Sequence, residues 1–177
     1  MFLRRFTVDD VSLLVELDGD PDVMRYITGG VPTPREEIEQ DYMPAFLSYY
    51  ERFEGYGFWA AVETARQDFL GWFHFRPASG APENEPELGY RLRREAWGKG
   101  YATEGSRALI DLGFLQYGVE RVVASTMAVN LGSRRVMEKS GLRLIRTFHQ
   151  DWPHRIDGEE HGDVEYALTR EDWLAAR

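Results

Sequence analysis

The order of apolar patterns along the chain constrains its fold more than any other feature. Two aromatic and β-branched segments, Gly57–Glu63 and Phe69–Phe75, predict strands joined as a hairpin through a polar turn. A further strand at Glu87–Leu92 is followed by a helix at Tyr101–Tyr117 and a strand at Arg121–Met127. A hairpin followed by alternating strands and helices predicts an α/β fold with a mixed sheet.

The remaining segments extend this pattern without an internal repeat or a linker. We expect further strands at Leu3–Phe6, Leu142–Phe148 and Val164–Leu168, and helices that begin after Thr7, Asp20, Thr33 and Asn130 and at about Glu171. The chain has 177 residues, of which 43% are apolar. We therefore expect a single domain over residues 1–177 with a sizeable core.

The composition excludes several classes of function. The chain has no cysteine, so it has no disulfide framework, no thiolate metal site and no acyl-cysteine intermediate. Its formal net charge of −9 argues against a nucleic-acid partner, because duplex-binding proteins need a basic face. No apolar run of membrane-crossing length and no apolar segment of signal-peptide type are present, so we expect a cytoplasmic protein without a membrane partner.

The most informative segment is Trp-Gly-Lys-Gly-Tyr-Ala-Thr-Glu at Trp97–Glu104, between a predicted strand and a predicted helix. Glycine lets the backbone approach a ligand closely, and the first N–H groups of a helix have no partner within the helix. Together with the helix dipole, these groups form a site for phosphate or pyrophosphate. A glycine-rich turn that opens a helix for steric reasons alone would explain the same residues.

Three kinds of phosphate-binding loop can be compared with this segment. The P-loop pattern requires Ser or Thr after Lys99, where the chain has Gly100, and the dinucleotide pattern requires glycine where the chain has Thr103. The coenzyme A pyrophosphate loop of acetyltransferases, read across Trp97–Ala102, is the one that fits. Here the chain resembles the GNAT superfamily of N-acetyltransferases, and it is similar to the branch that acetylates ribosomal proteins at an N-terminal Ala or Ser.

A second pattern in Asn130–Leu142 resembles the same family. It reads Asn-x-x-Ser followed by Glu-Lys-x-Gly, and it lies one helix and one strand after the glycine loop, as in the family. Asn130 is also a favourable helix N-cap whatever the protein does, and Gly141 is a favourable helix end. The two patterns together cover Glu87–Ile145.

The resemblance implies a GNAT-like fold, with a mostly antiparallel mixed sheet of about six or seven strands, helices around it, and strands 4 and 5 splayed apart. It also implies direct transfer of an acetyl group from acetyl-CoA to a primary amine, on a protein N-terminus or a small molecule, without a metal. The residues implied in coenzyme binding are Leu92, Trp97, Gly98, Lys99, Gly100, Tyr101, Ala102, Thr103 and Asn130.

An amine acceptor must lose a proton before it attacks a thioester, because its pKa is about 8 for an α-amino group and about 10 for an alkylamine. A carboxylate is the usual base. The resemblance implies Glu87, on the strand before the loop, although an exposed carboxylate at a strand start explains this residue equally well. Asp151, beyond the sixth strand, is the second candidate, because the ribosomal branch draws its proposed base from that region.

The departing thiolate takes up a proton. Many family members carry a tyrosine seven residues after the asparagine, but this chain has Met137 there, which cannot donate a proton. In the ribosomal branch the serine has this role, which implies Ser133. A hydrogen bond to the helix backbone would explain Ser133 as well.

Several alternatives stay open at this point. The chain could bind acyl-CoA without turnover, or transfer a larger group such as succinyl. Arg134 or Lys139 could pair with a coenzyme phosphate, or belong to a charged helix face. A homodimer is the default oligomer. The polar residues after the sixth strand fit no metal-ligand spacing and predict a solvated loop; they are His149, Asp151, His154, Asp157, Glu159, Glu160 and His161.

Overall fold

A computed structural model describes every residue of the chain except His154. His154 belongs to the polar group predicted after the sixth strand, so that part of the prediction lies outside the described residues. The described strands are β1 Phe2–Arg5, β2 Gly57–Val62, β3 Phe69–Pro77, β4 Pro86–Leu92, β5 Arg121–Met127, β6 Arg143–Phe148 and β7 Asp163–Thr169.

The described helices follow the predicted order. They are α1 Val11–Asp18, α2 Pro21–Met24, α3 Arg35–Glu37, α4 Met43–Arg52, α5 Tyr101–Gln116, α6 Leu131–Lys139 and α7 Arg170–Ala175. Side chains cap three of them, because Asp20, Asn130 and Thr169 each accept a hydrogen bond from a backbone N–H of the first turn. None of the helices in the described part of the chain is long and apolar enough to cross a membrane.

The strands form one sheet in the order β1-β2-β3-β4-β5-β7-β6. Every neighbouring pair is antiparallel except β4 and β5, which are parallel. This confirms the α/β fold with a mixed, mostly antiparallel sheet. The strands β3 and β4 are longer than predicted, because they extend to Pro77 and Pro86. These two prolines pair at the end of the ladder, where the absence of a backbone N–H is tolerated.

A gap opens between β4 and β5 in the middle of this sheet. The parallel pairing of these two strands consists of one residue pair, Glu87 opposite Val123. On its other edge, β4 pairs with β3 from Pro86 to Leu92, and β5 pairs with β7 along its whole length. The two strands therefore part beyond Glu87, as the splayed arrangement requires. The backbone groups that face the gap must find their partners outside the sheet.

Two apolar clusters cover the two faces of the sheet. Helices α5, α6 and α7 pack on one face against buried residues that include Phe73, Phe75, Leu88, Leu92 and Val122. We call it the coenzyme face, because the sequence resemblance predicts the coenzyme at the start of α5. Helices α1, α2 and α4 pack on the other face against residues that include Phe6, Phe58, Ala60 and Trp72. We call it the acceptor face, because it carries the predicted base Glu87. Because side chains alternate along a strand, Glu87, Gly89 and Arg91 of β4 point to the acceptor face.

A buried ion pair joins the helical layer of the acceptor face to β4. The Arg91 guanidinium lies 2.6 Å from a carboxylate oxygen of Asp18, and their side chains are 11% and 2% exposed. The other Asp18 oxygen accepts a hydrogen bond of 2.9 Å from the Thr33 hydroxyl. The guanidinium also lies 5.0 Å from the centre of the Trp72 ring. These contacts fix the end of α1 above the strand that borders the gap.

The substitution Asp18→Ala leaves the Arg91 charge buried without a partner, and we expect it to lower the free energy of unfolding by about 3–5 kcal/mol. Glu39→Ala is a matched control, because the Arg35–Glu39 pair is about half exposed on both sides. Its loss should cost less than about 1 kcal/mol. Urea unfolding of both variants measures the difference, and equal stabilities would contradict the structural importance of the buried pair.

Candidate active site

The loop after β4 is shaped by its own side chains. A 3₁₀ turn at Arg94–Ala96 follows the strand, and the indole N–H of Trp97 donates a hydrogen bond of 2.8 Å to the carbonyl oxygen of Leu92. This bond folds the loop back onto the end of β4. Trp97 is nevertheless 47% exposed, so most of its ring remains accessible beside the loop.

Gly98 and Gly100 both have left-handed backbone conformations, with φ of 71° and 87°. A Cβ atom built on either glycine would meet no other atom within 4 Å among the described residues. Packing therefore does not explain these glycines. The backbone conformation requires them, and the open space above them leaves the main chain accessible to a ligand.

The N-terminus of α5 offers free donors at the same place. Among the described residues, the N–H groups of Tyr101, Ala102 and Thr103 have no backbone acceptor, and no side chain caps the helix. A helix of 16 residues directs its dipole at this end. Free N–H groups and a helix dipole that point to open space form an anion site.

An open cavity of about 520 Å³ lies beside these donors, lined by Gly100, Thr103, Glu104, Arg107 and Lys139. Arg107 donates from Nε to the carbonyl oxygen of Lys139, at 3.1 Å, which joins α5 to the end of α6. The cavity therefore has two basic side chains in its wall. Arg134 and Lys139 are the two basic residues of α6 proposed from the sequence as partners of a coenzyme phosphate. Lys139 is the one that lines this cavity.

Arg134 has a structural position instead. Its guanidinium donates to the carbonyl oxygen of Ala128 at 2.9 Å and to the Tyr166 hydroxyl at 3.1 Å. These bonds hold the start of α6 against β7. These contacts do not favour the hypothesis that Arg134 pairs with a coenzyme phosphate.

This arrangement suits coenzyme A. Its diphosphate matches free N–H groups at a helix N-terminus, and basic residues near that site match its further phosphate. Its extended pantetheine arm has amides that can pair with strand edges left open by the gap between β4 and β5. The residues predicted to bind the coenzyme lie at the end of β4 and the start of α5; they are Leu92, Trp97, Gly98, Lys99, Gly100, Tyr101, Ala102 and Thr103.

Asn130 caps α6, as its residue type predicts. Its side-chain oxygen accepts a hydrogen bond of 3.2 Å from the N–H of Ser133, and its amide nitrogen donates to the Thr126 hydroxyl at 3.1 Å. The cap places Ser133 in the first turn of the helix that follows β5. Any contact of Asn130 with the coenzyme would be additional to this structural role.

Ser133 contacts a residue that the sequence analysis did not single out. The Tyr90 hydroxyl donates to the carbonyl oxygen of Ser133 at 2.9 Å, and its oxygen lies 3.0 Å from Ser133 Oγ. Burial raises the pKa of Tyr90, so it keeps its proton at neutral pH. The signal in the sequence was a tyrosine among apolar residues of one strand face, since a buried tyrosine usually needs a partner for its hydroxyl.

Glu87 lies on the acceptor face where β4 and β5 begin to part. The Ser125 hydroxyl donates a long hydrogen bond of 3.4 Å to Oε1. On the other side, Oε2 lies 3.7 Å from Nε2 of His74 and 4.0 Å from a nitrogen of Arg76. The side chain is 27% exposed. The carboxylate is therefore accessible and is held only by long contacts.

Asp151 is exposed, in the loop between β6 and β7. It follows β6, the edge strand of the sheet, whereas Glu87 lies on β4 in the interior of the sheet. In the part of the chain that the structure describes, no group of three or more His, Asp or Glu side chains is arranged to hold a metal ion.

Comparisons with known proteins agree with this geometry. Residues 1–143 match the family model of the acetyltransferase (GNAT) domain. The FsC-acetyl coenzyme A-N(2)-transacetylase of Aspergillus fumigatus is 32% identical over 166 residues, which cover 90% of this chain and 69% of that protein.

Solved structures have the same fold. An acetyltransferase of the GNAT family from Bacillus anthracis superposes with a TM-score of 0.74 at 26% identity, covering 96% of this chain and 94% of the other. The aminoglycoside acetyltransferase AAC(6')-Ib, solved with coenzyme A, superposes with a TM-score of 0.77 at 20% identity, covering 99% and 98%.

Gly100→Ala tests the anion site. The substitution places a residue with a Cβ in a left-handed backbone conformation, which should lower the stability of the protein by about 1–2 kcal/mol. It also covers the free N–H groups of α5, so we expect the Kd for coenzyme A to rise about 10-fold, as for a lost hydrogen bond to a charged group. Isothermal titration calorimetry measures this change.

Gly118→Ala is the matched control at the opposite end of α5. Gly118 has φ of 63°, and its Cβ would also meet nothing within 4 Å among the described residues. It should lose similar stability and keep its affinity for coenzyme A. Equal affinities of both variants and the original chain would contradict the assignment of the loop.

Proposed function

The chain belongs to the GNAT acetyltransferase family and is an acyl-CoA-dependent N-acetyltransferase, and we propose that it acetylates a small-molecule primary amine by direct transfer from acetyl-CoA. One observation carries this proposal. The gap between β4 and β5 begins at a partly exposed carboxylate, Glu87, and β4 leads from there to the anion site at the start of α5. A protein N-terminus is the second class of acceptor.

The backbone of Gly98–Thr103 would hold the diphosphate, and Leu92 with the neighbouring edge of β4 would hold the pantetheine arm. Bound acetyl-CoA supplies an activated acetyl group as a thioester. Backbone N–H groups of the open strand edge can polarise its carbonyl, because a donor aimed at a developing oxyanion stabilises it. The protein contains no cysteine that could carry the acetyl group, which supports direct attack by the amine.

Glu87 is the base in this proposal. Its carboxylate lies on the acceptor face, is partly exposed, and is next to the Ser125 hydroxyl at the start of the gap. An ammonium group that reaches this carboxylate, directly or through one water, can transfer a proton to Oε1 or Oε2 before the nitrogen attacks. Asp151, exposed in the loop after β6, remains the alternative base.

Ser133 and Tyr90 would return a proton on the coenzyme face. The Tyr90 hydroxyl already donates to a carbonyl oxygen, so the Ser133 hydroxyl can donate to the Tyr90 oxygen in the resting protein. When a thiolate forms nearby, Ser133 can pass its proton to the sulfur while water returns a proton to the serine oxygen. Proton uptake by Glu87 and proton release by Ser133 then occur on opposite faces of the same gap.

Two observations support a cationic amine as the acceptor. The chain carries a net charge of −9, which attracts amines in their protonated form. The Aspergillus fumigatus relative is named for acetyl transfer to a nitrogen, N(2). A transferase that uses succinyl-CoA is the remaining alternative for the donor.

A thiol-release assay tests the function. The purified chain is incubated with acetyl-CoA or succinyl-CoA and with amino acids, aminoglycosides, polyamines or N-terminal peptides, and mass spectrometry identifies the product. We expect acetylation of at least one small amine. Binding of acetyl-CoA in calorimetry without release of thiol on any amine would contradict the catalytic proposal and favour a binding module.

Glu87→Gln keeps the size of the side chain and removes the base. We expect kcat to fall about 100-fold or more, the contribution of a general base, with little change in the Kd for coenzyme A. Asp151→Asn is the matched comparison and should retain activity. If Asp151→Asn loses the activity and Glu87→Gln keeps it, the base is Asp151 instead.

Ser133→Ala removes the proposed proton donor, and we expect kcat to fall about 10-fold with an unchanged KM for acetyl-CoA. Tyr90→Phe removes only the hydroxyl that holds Ser133 and should have a smaller effect. Steady-state kinetics with the amine found above separate the two. Full activity of Ser133→Ala would show that the thiolate leaves without this proton, which its pKa of about 8.5 permits.

The sequence also predicts a cytoplasmic location and a homodimer, and both stay predictions. The edge strand β6 exposes Leu144 and Ile145, each about half accessible, which supports an association at this edge. Light scattering during size-exclusion chromatography would measure the oligomeric state.

A further inference from the structure

His74 of β3 has a buried polar atom without a partner. Its Nε2 is inaccessible to solvent, and it makes no hydrogen bond to any described residue. A buried imidazole N–H without an acceptor costs free energy, so native structures usually give such a group a partner. A buried ring nitrogen without a partner, next to the proposed base, is therefore a candidate for a functional role.

The ring of His74 is fixed from three sides. Trp72 stacks on it with ring centres 5.8 Å apart, and Phe58 packs edge-on at 5.7 Å. Gly89 lies beneath it, where a Cβ would come within 2.5 Å of the imidazole Cε1. Glycine at this position of β4 therefore makes room for the ring. The imidazole has little freedom to move.

Nε2 points toward Glu87, at 3.7 Å from Oε2. This distance is too long for a hydrogen bond, which needs about 2.9 Å. Glu87 is the partner that can move, because it is partly exposed and its remaining contacts are long. A carboxylate shift of about 0.8 Å toward the ring would complete the bond.

The charges around His74 keep it neutral. Arg76 of the same strand and Arg91 of β4 face it, Glu87 is the anion next to it, and Arg91 is itself paired with Asp18 of α1. Burial and the two guanidinium groups lower the pKa of His74 to about 3. At neutral pH it can offer an N–H to the carboxylate without placing a further positive charge beside the base.

We infer that His74 is a positioning residue for Glu87: its fixed Nε2–H binds Oε2 when the acceptor enters, and so leaves the other carboxylate oxygen directed at the amine. The inference rests on the proposed role of Glu87 as the base. It adds a second residue, on a different strand, to the machinery that removes the proton.

Two variants separate the hydrogen bond from packing. His74→Leu fills the space without a donor, whereas His74→Gln keeps an amide N–H near the position of Nε2. We expect His74→Leu to lower kcat about 10-fold, because a change of this size corresponds to the loss of one hydrogen bond to a charged group. His74→Gln should recover most of the activity. The Kd for coenzyme A should not change in either.

The pH profile gives a readout that packing alone would not move. A hydrogen bond to the ionised carboxylate favours that form and lowers its pKa. His74→Leu removes this hydrogen bond, so we expect the acidic limb of the pH profile of kcat to move to higher pH. In His74→Gln the limb should stay in place. Thermal unfolding checks that both variants are folded.

A double-variant cycle distinguishes the possible failures. If His74 acts through Glu87, His74→Leu should have no further effect on kcat in a Glu87→Gln background. If Glu87→Gln itself retains activity, the proposed base is wrong. If Glu87→Gln loses activity but folded His74→Leu keeps the original kcat and pH profile, only the positioning role of His74 is overturned.

Discussion

The parting of two strands in the middle of a sheet is the constraint on which the site depends. Interior strands normally pair along both edges, because unpaired backbone groups are costly. Here β4 and β5 share one register position and then separate, while β3 and β7 continue to hold their outer edges. The sheet survives because helices pack across both faces. The opening therefore exposes main-chain groups inside a rigid frame, where an extended substrate can replace the missing strand contacts.

Because side chains alternate along a strand, the candidate catalytic side chains lie on both faces of the sheet beside this opening. Along β4, Glu87 faces the helices of the acceptor face, whereas Tyr90 faces α5 and α6 and reaches Ser133. A shift of one residue in the register of β4 would exchange these faces and bring Tyr90 beside the early helices. The long pairing with β3 and the buried Arg91–Asp18 contact both oppose such a shift. Stability and the proposed catalysis therefore depend on the same alignment.

Local features of the site could be predicted from the sequence, and contacts across the sheet could not. The glycine loop and the Asn130 cap were predicted because each motif lies within a few consecutive residues and its physics is that of a helix end. Glu87 was identified as a candidate by its strand, but its nearness to His74 depends on the register of β3 against β4. The Tyr90–Ser133 contact joins residues far apart in sequence, and no local pattern encodes it. The role of each catalytic candidate remains a proposal.

The close approach of Gly89 to the imidazole of His74 links two positions of the sequence on neighbouring strands. A chain that acquires a side chain at position 89 has no room for a ring at position 74, and a chain that loses the ring has no steric need for glycine. During divergence a side chain at position 89 should therefore appear only where the ring at position 74 has been lost. Their joint identity in homologous chains would record whether this way of holding the carboxylate has been kept.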